Sequence, residues 1–430
     1  MRSWFLHARE SFWFLPAVCG VVAVALALGL IEIDRFLQAN NIGDIPLIAD
    51  LSATGSRALL AAIGGTMLGV AATTFSITIS VLATTSSTCG PRLVRNFMAD
   101  RGNQFVLAVL TSTFLYALVV LRAVRTEQDS TAAFVPSIAV SFAVVLAVAD
   151  VAVLVYFIHH IARSVQVTTM QSRVLGELMA VIDLLYPRVP AVQPRTVDPV
   201  RLPAGDVARS TSAGYVQHVD VTRLVHLATE HDLVIRVVAT AGSYVLDGEV
   251  LAQIHTLGSG DTPSSLPKTV AHAFSIDSAR TPHQDLRYAA QGLIEIGVRG
   301  LASGTNDPYT AVSAIDALGS ALVTLYSRPT PTGLHSGSDG ELRVVCSWPT
   351  PSDVSADVLL ALRTYGLSHP IVVDATIRFI DRIEKVATGD ERRALGEQAT
   401  ALRDAYARVA AEAVDGAARI TTLETVLARF

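Results

Sequence analysis

The sequence has few charged residues, almost no lysine and little cysteine, and these shortages exclude several classes of protein. Charged residues make up 17% of the 430 positions and hydrophobic residues 51%, whereas soluble domains have about 25% charged residues. This composition excludes a disordered chain and argues against a wholly soluble one. The net charge is −5, and Lys268 and Lys385 are the only lysines, so we expect no nucleic-acid partner.

Motifs for covalent and metal chemistry are also missing. Cys19, Cys89 and Cys346 have neither an even count nor a metal-binding spacing, so a disulfide framework is not expected. The chain has no Gly-rich phosphate loop, no His-Glu-x-x-His and no nucleophile elbow. Catalytic triads can assemble from distant positions, but nothing in the sequence indicates one. We therefore expect no enzymatic activity, no cofactor and no bound metal.

Long apolar segments fill the first half of the chain. Residues 1–159 carry 9 basic and 9 acidic residues, whereas residues 160–430 carry 24 and 29. A membrane-spanning helix needs about 20 residues, and four stretches are long enough: 12–33, 58–83, 104–121 and 135–158. The first run is too long for a signal-peptide core and no small-residue cleavage site follows it, so we expect a retained anchor.

The placement of arginine predicts the orientation of these spans. Basic residues concentrate on one side: Arg2, Arg9, Arg92, Arg95, Arg101, Arg163 and Arg173. The loops on the other side carry arginines that acidic residues offset. By the positive-inside rule, this asymmetry places both termini in the cytoplasm.

Five basic groups are predicted at the inner membrane interface: Arg92, Arg95, Arg101, His159 and His160. The arginines either anchor the topology or attract anionic headgroups, and in a channel they would also concentrate anions at the inner vestibule. The histidines could lie at the interface, sense pH or bind a metal. Joint metal ligation is not expected, because adjacent helical residues point to different faces.

The second span carries hydroxyl groups on one side. At about 100° per residue, one arc of about 60° holds five of them: Thr73, Ser76, Ser80, Thr84 and Ser87. A second stripe beside it consists of Thr74, Thr78 and Thr85, and the opposite arc holds Leu68, Phe75, Ile79 and Leu82. A helix with this pattern should turn its hydroxyl face toward other helices or water.

Two interpretations of this face are open. In the first, the hydroxyls bond back to carbonyls of their own helix, and Gly64, Gly65 and Gly69 permit close helix packing. In the second, several subunits present the stripe to a shared axis and form a polar pore whose hydroxyls partly replace the hydration of a passing ion or solute. The stripe is then the pore lining.

Acidic residues inside the predicted spans form a second group of candidates. Asp150 has about a dozen apolar neighbours on either side in sequence, so it is a functional candidate by default. A hydrogen bond to the Thr111–Thr113 segment at similar depth is the structural alternative. Glu32 and Asp34, near the outer end of the first span, are expected at a solvated mouth.

Several short segments, taken in order, carry a resemblance to a known family. They are Thr74-Phe75-Ser76-Ile77-Thr78, Cys89-Gly90-Pro91-Arg92-Leu93-Val94-Arg95-Asn96-Phe97 with Asp100-Arg101-Gly102, Thr113-Phe114-Leu115-Tyr116, Tyr156-Phe157-Ile158-His159-His160-Ile161-Ala162 and Asn306-Asp307-Pro308-Tyr309-Thr310-Ala311. This series resembles the bacterial predicted-membrane-protein family known as domain of unknown function 2254. The resemblance implies a protein of the bacterial plasma (inner) membrane with a cytosolic C-terminal half, and it implies no activity.

The chain is predicted to have four parts. They are a four-helix transmembrane domain at 1–158, a cytosolic helical stalk at 159–186, a Pro-rich linker at 187–210 and a cytosolic α+β domain at 211–430. The linker is expected because five prolines fall within 17 residues, which no helix tolerates: Pro187, Pro190, Pro194, Pro199 and Pro203.

The last part has mixed strand and helix patterns. Strands are predicted at 215–219, 233–240, 243–246, 249–254 and 342–348, and helices at 220–230, 285–302, 308–326, 353–365, 370–387 and 391–414. Asp247-Gly248 is a strong signal for a two-residue hairpin. The segment Gly242–Leu251 is also similar to the turn of biotinyl and lipoyl carrier barrels, which implies a small β-barrel-like element. No lysine occupies the hairpin tip, so no covalent cofactor is expected.

The turn at Asn306, Asp307 and Pro308 has two explanations. Asp307 suits a helix N-cap and Pro308 a first helical turn, which accounts for the motif structurally. Alternatively, Asn306 and Asp307 face a subunit junction or bind a cation.

The fold class expected is therefore a four-span α-helical transmembrane protein with a cytosolic α+β domain. Its predicted partners are the lipid bilayer, further copies of itself and a small ion or solute. We expect an oligomeric channel or transporter with a cytosolic regulatory domain. The rival interpretation is a non-transporting, membrane-anchored scaffold or ligand-sensing signalling protein.

Overall fold

The computed structural model describes residues 13–40, 52–89, 101–125, 134–164, 166–189, 205–257 and 263–430. By their internal contacts the chain divides into two compact units, Met1–Met170 and Gln171–Phe430. The first is called the membrane unit below, and the second the C-terminal unit. Most of the predicted Pro-rich linker, residues 190–204, lies outside the described residues.

Long apolar helices form the membrane unit. In chain order they are α1 Phe14–Ala39, α2 Ala53–Cys89, α3 Arg101–Ala123 and α4 Ser137–Ser164. Each overlaps a predicted span and is longer than it, and each is long and apolar enough to cross a membrane. The prediction of N-terminal helical spans is therefore confirmed.

Helix α3 lies at the centre of the membrane unit and packs against α1, α2 and α4. Its side chains Val106, Leu110, Tyr116 and Val120 are completely buried. Close approach to α2 is possible because Gly64 has no side chain; a Cβ there would lie 3.6 Å from the Ala117 Cβ. The core of this unit is therefore built around one helix.

A fifth helix, Pro308–Tyr326, also has the length and apolar composition to cross a membrane. It belongs to the C-terminal unit, where nine of its residues are buried and it packs against the helices Leu286–Gly300 and Pro370–Glu384. Packing with neighbouring helices accounts for its apolar composition.

The C-terminal unit has two small sheets. Its strands are β1 Asp206–Arg209, β2 Gly214–Val219, β3 Leu233–Val237, β4 Tyr244–Val245, β5 Val250–Thr256, β6 Phe274–Asp277, β7 Leu334–Ser336 and β8 Leu342–Val345. One sheet has the order β1-β5-β3-β8-β7 and the other β4-β2-β6. Pairing is antiparallel except between β3 and β8. Side chains of both sheets share one hydrophobic core.

Helices make up the rest of this unit. They are α5 Val167–Leu185, which begins in the membrane unit, and then α6 Val221–Glu230, α7 Leu266–Ala271, α8 Leu286–Gly300, α9 Pro308–Tyr326, α10 Pro351–Tyr365, α11 Pro370–Glu384, α12 Gly389–Ala407 and α13 Gly416–Leu427. A downstream α+β region with small sheets is therefore confirmed.

The predicted hairpin and the barrel-like element are wrong. Asp247 and Gly248 do form a tight turn, in which the Glu249 N–H donates to the Leu246 carbonyl at 3.1 Å. However, β4 pairs with β2, whereas β5 pairs with β1 and β3. The turn thus leads the chain from one sheet into the other. Strand β5 has β1 on one side and β3 on the other, so no edge of β5 is left for pairing with β4. No closed barrel is formed by the strands that the structure describes.

Candidate functional site

The hydroxyl stripe of α2 lies on the outer surface of the membrane unit. Thr73, Ser76, Ser80 and Thr84 are exposed, while the side chain of Ser87 is outside the described part. The neighbouring stripe turns inward, since Thr74 and Thr78 are each 3% exposed. A polar path along the outward stripe therefore cannot run through the interior of one chain.

The apolar arc of α2 is also exposed. Leu68, Phe75 and Ile79 are 43–48% accessible, which suits contact with lipid. Helix α2 thus touches the rest of its unit through a narrow face that includes Leu60, Ile63 and Thr74. Its remaining surface is divided between an apolar side and a side with small and hydroxyl-bearing residues.

Hydroxyls of α2 bond back to their own helix, as the first interpretation proposed. The Thr73 hydroxyl donates to the Gly69 carbonyl at 2.9 Å, and the Thr84 hydroxyl to the Ser80 carbonyl at 3.0 Å. Each donor is thereby satisfied, but the oxygen still offers an acceptor lone pair to a neighbour. The back-bonding is therefore compatible with both interpretations.

Two glycines continue the exposed stripe toward the start of α2. A Cβ at Gly65 or Gly69 would meet no atom within 4 Å, unlike Gly64, which faces α3. With Ala61 and Thr73, these glycines form a four-residue repeat of small residues on an exposed face. In membranes this repeat lets two helix backbones approach closely.

Asp150 is buried in the middle of α4. It is 1% exposed, its oxygens make no hydrogen bond of ordinary geometry with the described residues, and the Thr113 hydroxyl is the one group among them close enough to act as a hydrogen-bond donor. Thr113 of α3 lies beside it, at the depth where the sequence placed an alternative partner. Thr111 is engaged elsewhere, because its hydroxyl donates to the Leu107 carbonyl at 2.7 Å.

Other buried polar atoms of the membrane unit also lack partners among the described residues. They belong to Ser56, Asn103 and Ser112. Asn103 is 2% exposed, and both its amide nitrogen and its oxygen are unpaired. Buried polar groups without partners are rare in folded proteins and require an explanation.

Asp34 has a structural role that the sequence did not indicate. It is 4% exposed rather than solvated, and its two oxygens accept hydrogen bonds from the backbone N–H groups of Ile138 and Ala139 at 3.0 Å each. Asp34 therefore caps the start of α4 from α1. Glu32 remains at the surface and pairs with Arg35 at 2.5 Å.

The predicted interface residues are only partly described. Arg92 and Arg95 lie outside the described residues, and Arg101 is exposed at the first position of α3. His159 is exposed near the end of α4, and His160 is half-buried and stacks on Tyr156 with ring centroids 5.5 Å apart. No described cluster of three His, Cys, Asp or Glu side chains could hold a metal ion.

The Asn306-Asp307-Pro308 turn serves as a helix start in the structure. Asp307 accepts hydrogen bonds from the Thr310 hydroxyl at 2.7 Å and the Thr310 N–H at 3.2 Å, which lower the pKa of its carboxyl. Asn306 has a left-handed backbone with φ of 44°. Pro308 opens α9, and both carboxylate oxygens of Asp307 are already occupied by Thr310.

A cavity of about 940 Å³ opens in the C-terminal unit, within the range of small-molecule sites. Its wall includes the segments 238–243 and 347–349, α8 as far as Ile294, and α10 from Asp353 to its end at Tyr365. Charged groups, the rings of Trp348 and Tyr365, and apolar side chains such as Ile294 all line it. Sequence reasoning missed this cavity because its wall comes from three segments that are far apart in the chain, at 238–243, 280–294 and 347–365.

Two ion pairs fix the shape of the cavity wall. Arg280 contacts the Asp285 carboxylate through Nε at 2.9 Å and Nη2 at 2.5 Å, and Asp285 also caps α8. Arg287 of α8 and Asp357 of α10 form a bidentate pair with both distances 2.6 Å. The hydrogen bond with Asp357 raises the pKa of the Arg287 guanidinium.

Helix α5 is attached to the C-terminal unit at both ends. At its start, the Gln171 amide donates to the Thr310 carbonyl at 3.1 Å and accepts from the Ser313 hydroxyl at 2.7 Å. At its end, the guanidinium of Arg328 donates to the Ile182 carbonyl at 3.1 Å and also contacts Asp183.

The end of α5 also meets the cavity wall. The Tyr186 hydroxyl, one residue beyond α5, donates to the carbonyl of Pro349, which lines the cavity beside Trp348. Burial raises the pKa of this Tyr186 hydroxyl. The segment that follows α4 in the chain is thus bonded directly to the wall of the cavity.

Comparison with known proteins identifies a protein family that matches the chain, but the matching proteins have no described activity. The family model described as "Predicted membrane protein (DUF2254)" matches residues 9–382. Uncharacterized proteins of Mycobacterium bovis and Mycobacterium tuberculosis are 29% identical over 390 residues, which is 90% of this chain and 74% of theirs. No solved structure matches the chain.

Proposed function

We propose that the chain, which belongs to the DUF2254 family of predicted membrane proteins, is one subunit of an oligomeric channel or transporter for ions or small solutes. The observation that carries this proposal is the outward position of the stripe formed by Thr73, Ser76, Ser80 and Thr84. No chemical reaction is part of the proposed function.

Oligomerisation follows from what a single copy leaves exposed. Acyl chains offer no hydrogen-bond donors to an exposed hydroxyl oxygen, whereas a second copy of the protein or a column of water can supply such donors. The open faces of Gly65 and Gly69 permit another helix to approach closely. Copies arranged with their α2 stripes around one axis would enclose a hydroxyl-lined path, with the apolar arc of each α2 turned away from it.

We propose that α1 to α4 span the bilayer and that α9 does not. Support comes from the nine buried residues of α9 and from its polar partners: Asp316 pairs with Arg382 at 2.7 Å, and Ser313 bonds to Gln171. An even number of spans together with the arginine bias supports the proposal that both termini lie in the cytoplasm of a bacterial cell.

The C-terminal unit is proposed to regulate the membrane unit. The cavity supplies a site for a small molecule, and the Tyr186 hydroxyl bonds to its wall at Pro349. Helix α5 follows α4 closely in the chain, with two residues, 165 and 166, between them. A ligand that moved residues 347–349 would therefore act on the segment that continues into the last span.

Flux through proteoliposomes tests this proposal. The purified protein is reconstituted, and the movement of K⁺, Cl⁻ and urea is followed separately. Replacing Ser80→Leu and Thr84→Leu together is expected to abolish the flux that the unchanged protein shows, because both acceptor oxygens are removed from the path. The matched control is the pair Ser80→Thr and Thr84→Ser, which keeps both hydroxyls and is expected to keep the flux.

Two results would count against transport. Unchanged flux in the leucine variant would remove α2 from the pathway. No flux of any probe in the unchanged protein, in a preparation shown to be folded, would favour the rival function of a membrane-anchored scaffold or ligand-sensing protein, for which the cavity is the supporting observation.

A further inference from the structure

Two carboxyl groups are buried in the membrane unit, and their surroundings differ. Asp34 is 4% exposed and both its oxygens accept backbone hydrogen bonds at 3.0 Å. Asp150 is 1% exposed, no backbone N–H donates to it, and its one hydrogen-bonding neighbour among the described residues is the Thr113 hydroxyl. Asp34 lies near the end of α1, whereas Asp150 is the fourteenth of 28 residues in α4. The two carboxyl groups therefore differ in their hydrogen bonds and in their position along the helix, whereas both are almost completely buried.

A lone ionised carboxylate is unstable in this position. Moving such an ion from water into an apolar medium costs several kcal/mol even after the protein relaxes. Asp34 recovers part of this cost through two backbone N–H donors, whereas Asp150 has among the described residues only the hydroxyl of Thr113. A carboxylic acid that keeps its proton carries no net charge, so its burial costs far less.

Among the described residues, no counter-charge acts on Asp150 to stabilise the ionised form. The described charged side chains of the four membrane helices lie toward the helix ends: Glu32, Asp34 and Arg35 on α1, Arg57 on α2, Arg101 and Arg122 on α3, and Arg163 on α4. The other described titratable side chains are Cys19 on α1, Tyr116 on α3, and Tyr156, His159 and His160 on α4. Tyr116 of α3 donates its hydroxyl to the Ala139 carbonyl at 2.9 Å. Ala139 precedes Asp150 by 11 residues in α4, which is about three helical turns. The group that faces Asp150 is the neutral hydroxyl of Thr113.

Thr113 can form a hydrogen bond with Asp150 in the neutral as well as in the ionised form of the acid. A protonated carboxyl has one O–H donor and an acceptor oxygen, and a threonine hydroxyl has one donor and two acceptor lone pairs. The two groups are therefore complementary in either direction. A metal cation would need several oxygen ligands, and the described residues contain no group of three His, Cys, Asp or Glu side chains that could supply them.

We infer that Asp150 is a proton-binding site in the middle of the membrane unit, and that the closed packing around it is the proton-loaded conformation. Release of the proton then requires a conformation in which water reaches the carboxylate. Because the proton binds the closed conformation better, acid pH favours that conformation. This inference goes beyond the proposed function and does not depend on transport; it rests on the part of that proposal in which α4 spans the bilayer.

Carbodiimide labelling of the full-length protein in lipid nanodiscs tests the inference. An apolar carbodiimide, dicyclohexylcarbodiimide, takes the proton of a buried carboxylic acid on one nitrogen while the carboxylate oxygen bonds to its central carbon. The adduct rearranges to a stable acylurea that peptide mass spectrometry locates. We expect labelling at Asp150 that declines as the pH is raised and is lost in Asp150→Asn. Asp34 is the matched control and is expected to stay unlabelled, because its oxygens are held by backbone N–H groups.

Infrared spectroscopy detects the protonated carboxyl group directly, so it tests the inference even if the carbodiimide cannot reach Asp150. At neutral pH the unchanged protein is expected to show the C=O stretch of a protonated carboxylic acid, and Asp150→Asn is expected to lose that band while Asp34→Asn keeps it. Absence of the band from the unchanged protein would overturn the inference. Protection from the carbodiimide by Na⁺ at constant pH would also overturn it, by assigning the site to a metal cation. Both readouts are made without flux, so they fail or succeed separately from the transport proposal.

Discussion

Asp34 caps the fourth membrane helix from the first: its Oδ1 accepts a hydrogen bond from the backbone N–H of Ile138 at 3.0 Å. The second oxygen accepts from Ala139 at the same distance. These two N–H groups belong to the first turn of α4, where no carbonyl of the same helix is available to them. The contact joins segments 104 residues apart and fixes the end of α1 against the start of α4.

Replacing Asp34 by alanine is expected to destabilise the membrane unit. Two backbone N–H groups lose their acceptor in a buried position, which costs about 1–3 kcal/mol for each unsatisfied group. Thermal unfolding in detergent, followed by circular dichroism, measures the loss. Glu32→Ala is the control, because Glu32 is 66% exposed and pairs with Arg35 at the surface. Equal stability of the two variants would contradict the capping role.

Gly242 and Gly248 provide a matched pair for the cavity wall. Both have positive φ, 92° and 79°, so alanine at either position is strained by about 1 kcal/mol. A Cβ at Gly242 would also lie 2.2 Å from Asp285 Oδ2, whereas at Gly248 it would meet nothing within 4 Å. We expect Gly242→Ala to lower the unfolding temperature clearly more than Gly248→Ala. Similar shifts of the unfolding temperature in the two variants would mean that the Asp285 side chain moves away from the added Cβ at little cost.

The attachment of α5 depends on Arg328 rather than on Arg188, although both guanidinium groups approach Asp183. The Arg328 side chain is 8% exposed and also donates to the Ile182 and Tyr186 carbonyls. Arg188 is 82% exposed and lies 3.9 Å from Asp183. Arg328→Met is therefore expected to speed amide hydrogen exchange in α5, and Arg188→Met to leave it nearly unchanged. Equal exchange in both variants would show that α5 is held by other contacts.

The stability that Asp307 adds should depend on pH. Hydrogen bonds from Thr310 hold the pKa of this carboxyl below its usual value of 3.8. A lowered folded pKa stabilises the protein above the unfolded value, and that contribution disappears as the pH falls through the folded value. The stability difference between the unchanged protein and Asp307→Ala is expected to be full at neutral pH and to shrink below about pH 4. Thermal unfolding at a series of pH values checks this, and a constant difference would contradict it.

Much of the helical structure could be predicted from the sequence because its signals are local. Asp220, Asp285 and Asp307 each accept a backbone N–H three residues ahead, and the predicted helix at 308–326 begins and ends as expected. Strand pairing could not be predicted in the same way. Asp247-Gly248 fixes a turn, but the partners of β4 and β5 depend on burial against distant strands.

In the candidate sites too, local patterns could be predicted from the sequence and contacts between distant segments could not. The hydroxyl periodicity of α2 was visible in the sequence, but its outward direction depends on which face packs against α3. The isolation of Asp150 followed from its apolar neighbours, whereas the capping role of Asp34 needed the position of a helix 104 residues away. The cavity combines segments from 238 to 365, so no single motif could reveal it.

Access of water to the α2 stripe tests the central proposal most directly. Cys19, Cys89 and Cys346 are replaced by serine, and a single cysteine is introduced either by Ser80→Cys in the stripe or by Ile79→Cys, a neighbour that is 43% exposed on the apolar side. Each protein in lipid vesicles is treated with a charged, membrane-impermeant methanethiosulfonate reagent. Reaction of the Ser80→Cys protein but not of the Ile79→Cys protein is the predicted result. Failure of both to react, while an apolar thiol reagent modifies both, would contradict a hydrated path along α2.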